Sequence, residues 1–151
     1  MKAAGVLLAL VGALVLQSTI AGLTLDGARM VNLVVVAVVY VALLYGPVAG
    51  LLAGTAGGLV QDALGGGVVG IGSLSKTVIG FLSGVLGARF IVSQWLPRLV
   101  MFVGATAVHE LCFQALFAVV EARPFRLAYR PVMTQAVVNG MVGLAAFFVV
   151  E

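Results

Sequence analysis

The side chains able to do chemistry are few and fall in three places. Gln61 and Asp62 precede the run Gly65-Gly66-Gly67, and Lys76 follows it after Gly70, Gly72, Ser73 and Ser75. His109 and Glu110 interrupt a long apolar stretch, with Gln114 one helical turn beyond Glu110 on the same face. Gln135 and Asn139 repeat the four-residue spacing later in the chain, near Thr134 and Gly143. None of these sets completes a catalytic pattern. A zinc-protease signature needs a second histidine four residues after the first, where Phe113 stands, and His109 is the chain's one histidine. Ser75 and Lys76 are adjacent, so on a helix they point about 100° apart and cannot act as a nucleophile and its base. The run Gly-Ile-Gly-Ser-Leu-Ser-Lys-Thr from Gly70 to Thr77 touches the phosphate-loop pattern, but Ser75 replaces the last glycine and no soluble strand precedes it. Cys112 is the lone cysteine, which excludes an intrachain disulfide and a thiolate cluster. The expectation is a non-enzyme with no cofactor and no metal.

The surroundings of these residues are decisive for class. Of 151 residues, 63% are apolar and 9% are Asp, Glu, Lys or Arg, with a mean hydropathy of +1.26. A soluble domain carries about 25% charged residues, so this chain lacks the surface charge of a globule in water. It reads as a membrane protein. The net charge of +3 rests on a few basic residues at segment edges, a result of topology, and argues for no nucleic acid.

Membrane strands would alternate polar and apolar residues, whereas these apolar runs are unbroken and of helix length. They predict an all-α polytopic membrane protein, one compact six-helix bundle forming a single membrane domain over residues 1–151. The approximate helices are 3–23, 31–45, 47–64, 70–92, 95–120 and 131–150. The first is read as an uncleaved helix because a second apolar run follows the short linker from Thr24 to Met30, which carries Asp26 and Arg29. Pro47 opens the third helix, where its missing N–H is harmless, and the triple glycine ends it. Residues Glu121 to Arg130, with Arg123 and Arg126, suit an interfacial loop or short surface helix meeting lipid headgroups.

Glycine supplies 20 residues, and its spacing suggests helix contact. Gly50, Gly54 and Gly58 form one ridge and Gly80 and Gly84 another, letting two backbones approach where lipid gives no hydrophobic drive between helices. The tight reversal at the triple glycine can bring Asp62 and Lys76 near one another, as a structural ion pair or interfacial anchors, a solute or proton site, or a partner contact. His109, Glu110 and Gln114 are open to three readings: packing or partner interface, transport or proton relay, and catalysis. The amides of Gln135 and Asn139 can bond to that set or to another subunit.

Three stretches resemble the rod-shape-determining MreD family: Leu16-Gln17-Ser18-Thr19, "YVALLYGPVAG" from Tyr40 to Gly50, and "GLVQDALGGGVVGIGSLSKTVIGFLSGVLG" from Gly58 to Gly87. Gln61, Asp62, Gly65, Gly70 and Lys76 match that family's central pattern. The resemblance implies a non-enzymatic scaffold of the cell-elongation complex in the bacterial inner membrane, helping position peptidoglycan synthesis. It implies MreC as partner, with MreB, RodA and a class B penicillin-binding protein in the same assembly and a homodimer as a further arrangement. It also implies a fold like the membrane substrate-binding components of energy-coupling-factor transporters, with cytoplasmic termini. The basic residues lean the other way: Lys2, Arg89 and Arg98 fall on the terminal side, against Arg29, Arg123, Arg126 and Arg130 opposite, with Lys76 nearer that other side as well. The alternative function is a small-solute-binding membrane component of a transporter, with His109, Glu110, Gln135 and Asn139 lining a pocket.

Overall fold

A computed structural model describes residues 2–23, 30–90 and 94–150. Residues 24–29, which hold Asp26 and Arg29 of the expected first linker, lie outside the described residues. The described chain is all-helical, with six helices: α1 (Lys2–Leu23), α2 (Leu33–Tyr45), α3 (Pro47–Gly65), α4 (Ile71–Arg89), α5 (Trp95–Val120) and α6 (Tyr129–Val150). Four of them contain windows long and apolar enough to cross a membrane, in α1, α4, α5 and α6. The α4 helix closes at Arg89, short of the expected end at residue 92, because Phe90 turns extended. Residues 121–128 form a turn and an irregular loop, with no surface helix, and Arg130 belongs to the first turn of α6.

The bundle is built around its shortest helix. At 13 residues, α2 is about 20 Å long, less than the hydrocarbon thickness, yet it touches all five other helices. Its valines at 34, 35, 38 and 39 are fully enclosed, and Leu10, Ala53, Ile79 and Phe102 pack around them from α1, α3, α4 and α5. Valine is a mediocre helix former in water, but stiff, branched side chains lose little further entropy when packed on every side. Because α2 is wrapped in protein, its length need not match the bilayer.

The closest pairing is α3 with α4, which run antiparallel along the glycine ridges. A Cβ on Gly50 would collide with the Gly80 carbonyl oxygen, and a Cβ on Gly80 with that of Gly50. Gly54 lies against the Lys76–Thr77 peptide, Gly58 against the Ser73 backbone, and Gly84 against Pro47. The reversal between the helices needs left-handed backbone at Gly66 (φ 66°) and Gly70 (φ 110°), which glycine adopts without a Cβ penalty. Polar stitches cross the same seam: the Thr55 and Thr77 hydroxyls are 2.8 Å apart, and Ser73 Oγ donates to the Thr55 carbonyl at 3.0 Å.

The distribution of polarity is that of a protein solvated by lipid. Gln17, Asn32, Ser75, Lys76, Thr106, His109 and Asn139 are buried, while Leu8, Val100, Met141 and Phe148 point outward. In hydrocarbon the apolar face is the solvated one and polar groups must find protein. Both termini lie at one end of the bundle, where Gly5 sits beside the Tyr45 hydroxyl and Arg98 caps the Phe147 ring at 2.8 Å. The α3–α4 turn and the 121–128 loop lie at the other end.

Candidate functional site: a polar cavity between α3, α4, α5 and α6

At the end opposite the termini the helices diverge around a cavity of about 540 Å³. Each helix brings polar side chains to it because the sequence breaks its apolar run within a few turns of that end. Gln61 and Asp62 come from the last turn of α3, Lys76 from the second turn of α4, His109 and Glu110 from the middle of α5, and Gln135 from α6. Asn32, at the start of α2, completes the polar wall. Phe113 and Phe117, Val68 and Ile71 supply the apolar part.

Asp62 is committed to holding α4. Gly70 is the N-cap of that helix and has no side chain to cap it, so Asp62 Oδ2 accepts from Gly70 N at 2.9 Å and Ser73 N at 3.0 Å. A carboxylate here satisfies orphan N–H groups and complements the positive end of the helix dipole. Lys76 Nζ donates to the Gly72 carbonyl at 3.3 Å. Asp62 and Lys76 thus meet across Gly72, whose missing side chain makes room for both, and form no direct ion pair. Among the described residues, a direct ion pair joins Arg123 and Glu121 at 2.9 Å, on the exposed loop.

On α5 the expected Glu110–Gln114 contact is present, with Gln114 Nε2 donating to Glu110 Oε1 at 3.1 Å. Gln114 also clamps the loop after α5, accepting from Ala128 N at 3.0 Å. His109 is buried, and neither ring nitrogen has a hydrogen-bond partner. Its ring is the first of a ladder: His109 stacks on Phe113 and Phe113 on Phe117, each with centroids 6.2 Å apart. The four-residue spacing on one helix face produces this ladder, which runs from the depth of the cavity toward its mouth.

Beneath the cavity lies a network of amides that ties the helices together. Asn139, fully enclosed on α6, accepts from Asn32 N at 2.9 Å and donates to Thr106 Oγ1 on α5 at 3.4 Å. Asn32 Oδ1 caps α2 by accepting from Val35 N and also receives Gln61 Nε2 at 3.4 Å. Gln17 fastens α1 with two bonds, donating to Val31 O at 3.0 Å and accepting from Leu33 N at 2.8 Å.

The candidates thus divide among four places. Gln61, Asp62, Lys76, His109, Glu110 and Gln135 line the cavity, whereas Gly50, Gly54, Gly58, Gly80 and Gly84 form the α3–α4 seam away from it. Asn139 lies in the network below and Gln114 at the loop. Sequence reasoning missed Phe113, Phe117, Thr106 and Thr55 as partners of these groups. Spacing by four from His109 was a signal for the two phenylalanines. Among the described residues no group of three His, Cys, Asp or Glu side chains is placed to hold a metal ion.

Comparison with known proteins corrects the expected family. A family model described as the 5TMR of 5TMR-LYT, 5TM-5TMR_LYT, matches residues 1–150. No curated protein and no solved structure matches the chain. The full-length match overturns the MreD resemblance and, with it, the cell-elongation scaffold and the solute-carrier alternative. The residues behind that resemblance, the glycine ridges and the Gly-rich reversal, solve a packing problem common to membrane helices, and so carry little family information. The all-helical membrane fold expected from the sequence is the one observed. The chain is a multi-pass membrane protein of the 5TM-5TMR_LYT family.

Proposed function

We propose that the chain is a membrane sensor module, acting by binding and not by catalysis, whose polar cavity receives the signal. The observation that carries this is His109: a buried imidazole with both nitrogens unpartnered, on the wall of a cavity among charged and amide side chains. A buried polar group left without a partner costs about 1–3 kcal/mol, and a bound solute removes that cost. Membership of a five-transmembrane, LytS-associated family supports a sensory role. The cavity rests on the amide network below it, so a change at Gln61 or Asn32 reaches α1 through the Asn32–Leu33 turn and α6 through Asn139.

The module sits in the cytoplasmic membrane with its termini inside and the cavity mouth outside. The mouth lies opposite the termini, which suits an external signal and an internal response. The basic residues of the sequence lean against this orientation, Lys2, Arg89 and Arg98 facing Arg29, Lys76, Arg123, Arg126 and Arg130, so it rests on the place of the mouth.

The test places a fluorophore on Val68→Cys at the mouth, in a Cys112→Ala background, and titrates the protein in lipid nanodiscs with the small-molecule fraction of a cell extract. A saturable signal that His109→Leu abolishes is expected. The absence of any saturable signal, or the same signal in His109→Leu, overturns the reading.

A further inference from the structure

We infer that the cavity is built for a zwitterionic solute, a free α-amino acid with an apolar side chain; this rests on the reading of the cavity as the signal-receiving site. Three ionisable groups besides His109 line the cavity: Asp62, Lys76 and Glu110. Asp62 is matched to the N-terminal N–H groups of α4 through Gly70 and Ser73. Asp62 also acts on Lys76 across Gly72, yet Lys76 and Glu110 each remain short of hydrogen-bond partners. The Lys76 ammonium has three N–H donors and makes one hydrogen bond, to the Gly72 carbonyl, although the residue is only 2% exposed. The Glu110 carboxylate accepts one hydrogen bond, from Gln114.

Lys76 feels Asp62 most strongly among the charged groups and Glu110 next, and forms a direct ion pair with neither. Separated opposite charges at membrane depth are costly unless something bridges them. A monoanion fills the free Lys76 donors and leaves the Glu110 oxygens short of donors, and a simple amine does the reverse. A zwitterion matches both, its carboxylate toward Lys76 and its ammonium toward Glu110. The His109 nitrogens, one donor and one acceptor in a neutral ring, and the unpartnered Gln61 Oε1 offer further hydrogen bonds of both senses.

The apolar part has its own place. Phe113 and Phe117 lie three and seven residues beyond Glu110 on the same helix face and carry the ring ladder toward the mouth. An ammonium beside Glu110 meets the first of these rings, and a side chain extending outward meets the second. The volume of about 540 Å³ falls within the range of small-molecule sites, roughly 300–1,000 Å³, and admits any of the standard side chains.

The test is calorimetric titration of the full chain in lipid nanodiscs with each of the twenty standard α-amino acids. For each one that binds, the amine lacking the carboxylate and the acid lacking the ammonium are titrated too. The expected result is binding of apolar amino acids, with both truncated analogues weakened at least about tenfold, since each loses a charge-assisted contact. In Glu110→Gln the loss of the ammonium should cease to matter, and in Lys76→Met the loss of the carboxylate. The analogue series on the unaltered protein decides the matter if a variant fails to fold. Equal binding of an amine or an acid overturns the zwitterion and leaves the signal-receiving cavity standing. No binding by any of the twenty amino acids overturns the zwitterion, and if the Val68→Cys fluorophore is also silent to the whole extract, the cavity reading falls with it.

Discussion

Gly54→Ala tests the α3–α4 seam, where a single methyl group has nowhere to go. The added Cβ would lie 2.8 Å from Thr77 N and closer still to the Lys76 carbonyl, against an ordinary contact of 3.4–4 Å. Both obstacles are backbone, so no side chain can swing aside and α4 must retreat by roughly 1 Å. A gap of about 0.5–1 Å forfeits a quarter to a half of each dispersion contact it opens. The retreat also stretches the Thr55–Thr77 and Ser73–Thr55 hydrogen bonds. Overpacking of this kind costs about 2 kcal/mol, roughly thirtyfold in the folding equilibrium, even though alanine is the better helix former. Gly104→Ala is the control: a Cβ there meets nothing within 4 Å, so the change is neutral or stabilising by about 0.5–1 kcal/mol. The assay is reversible unfolding in mixed micelles of rising denaturing-detergent fraction, followed by circular dichroism. Equal midpoints for Gly54→Ala and Gly104→Ala would refute the reasoning.

Three further outcomes follow from the polar contacts. Asp62→Ala removes the cap of α4 and should cost about 1–2 kcal/mol, read as faster amide exchange at Ser73 and Leu74, with Asp62→Asn intermediate. Asn139→Leu leaves the Asn32 N–H and the Thr106 hydroxyl without their partner and should lower stability by about 1–2 kcal/mol in the same unfolding assay. Gln114→Leu frees the loop at Ala128, and tryptic cleavage after Arg126 should quicken about fivefold, the value of a hydrogen bond worth about 1 kcal/mol.

Much of the frame was legible in the residues. Unbroken apolar runs of helix length define the helices, and the triple glycine ends α3 where the chain must turn back. The four-residue glycine ridges mark a seam because a missing side chain has a direct geometric effect. What could not be read was azimuth. A helix such as α2 is apolar on every side, and in a bilayer the lipid face is as apolar as the protein face, so no stripe reveals which side packs. The central place of α2, the wall made by Phe113 and Phe117, and the joining of Asn32 to Asn139 across more than a hundred residues of chain therefore needed the fold. The relation of Asp62 to Lys76 needed it as well: proximity suggested an ion pair, while the uncapped glycine at the start of α4 takes the carboxylate for itself.

Cysteine accessibility in intact cells addresses the central claim, an open polar cavity within the bundle with its mouth outside. Single cysteines at Gln61 and Glu110, on the cavity wall, are compared with cysteines at Val60 and Leu111, their neighbours in depth on the outward apolar surface, using a membrane-impermeant charged thiol reagent in a Cys112→Ala background. The account predicts labelling at Gln61→Cys and Glu110→Cys from outside, and none at Val60→Cys or Leu111→Cys. Equal reactivity within each pair, or silence at both cavity positions, would contradict it.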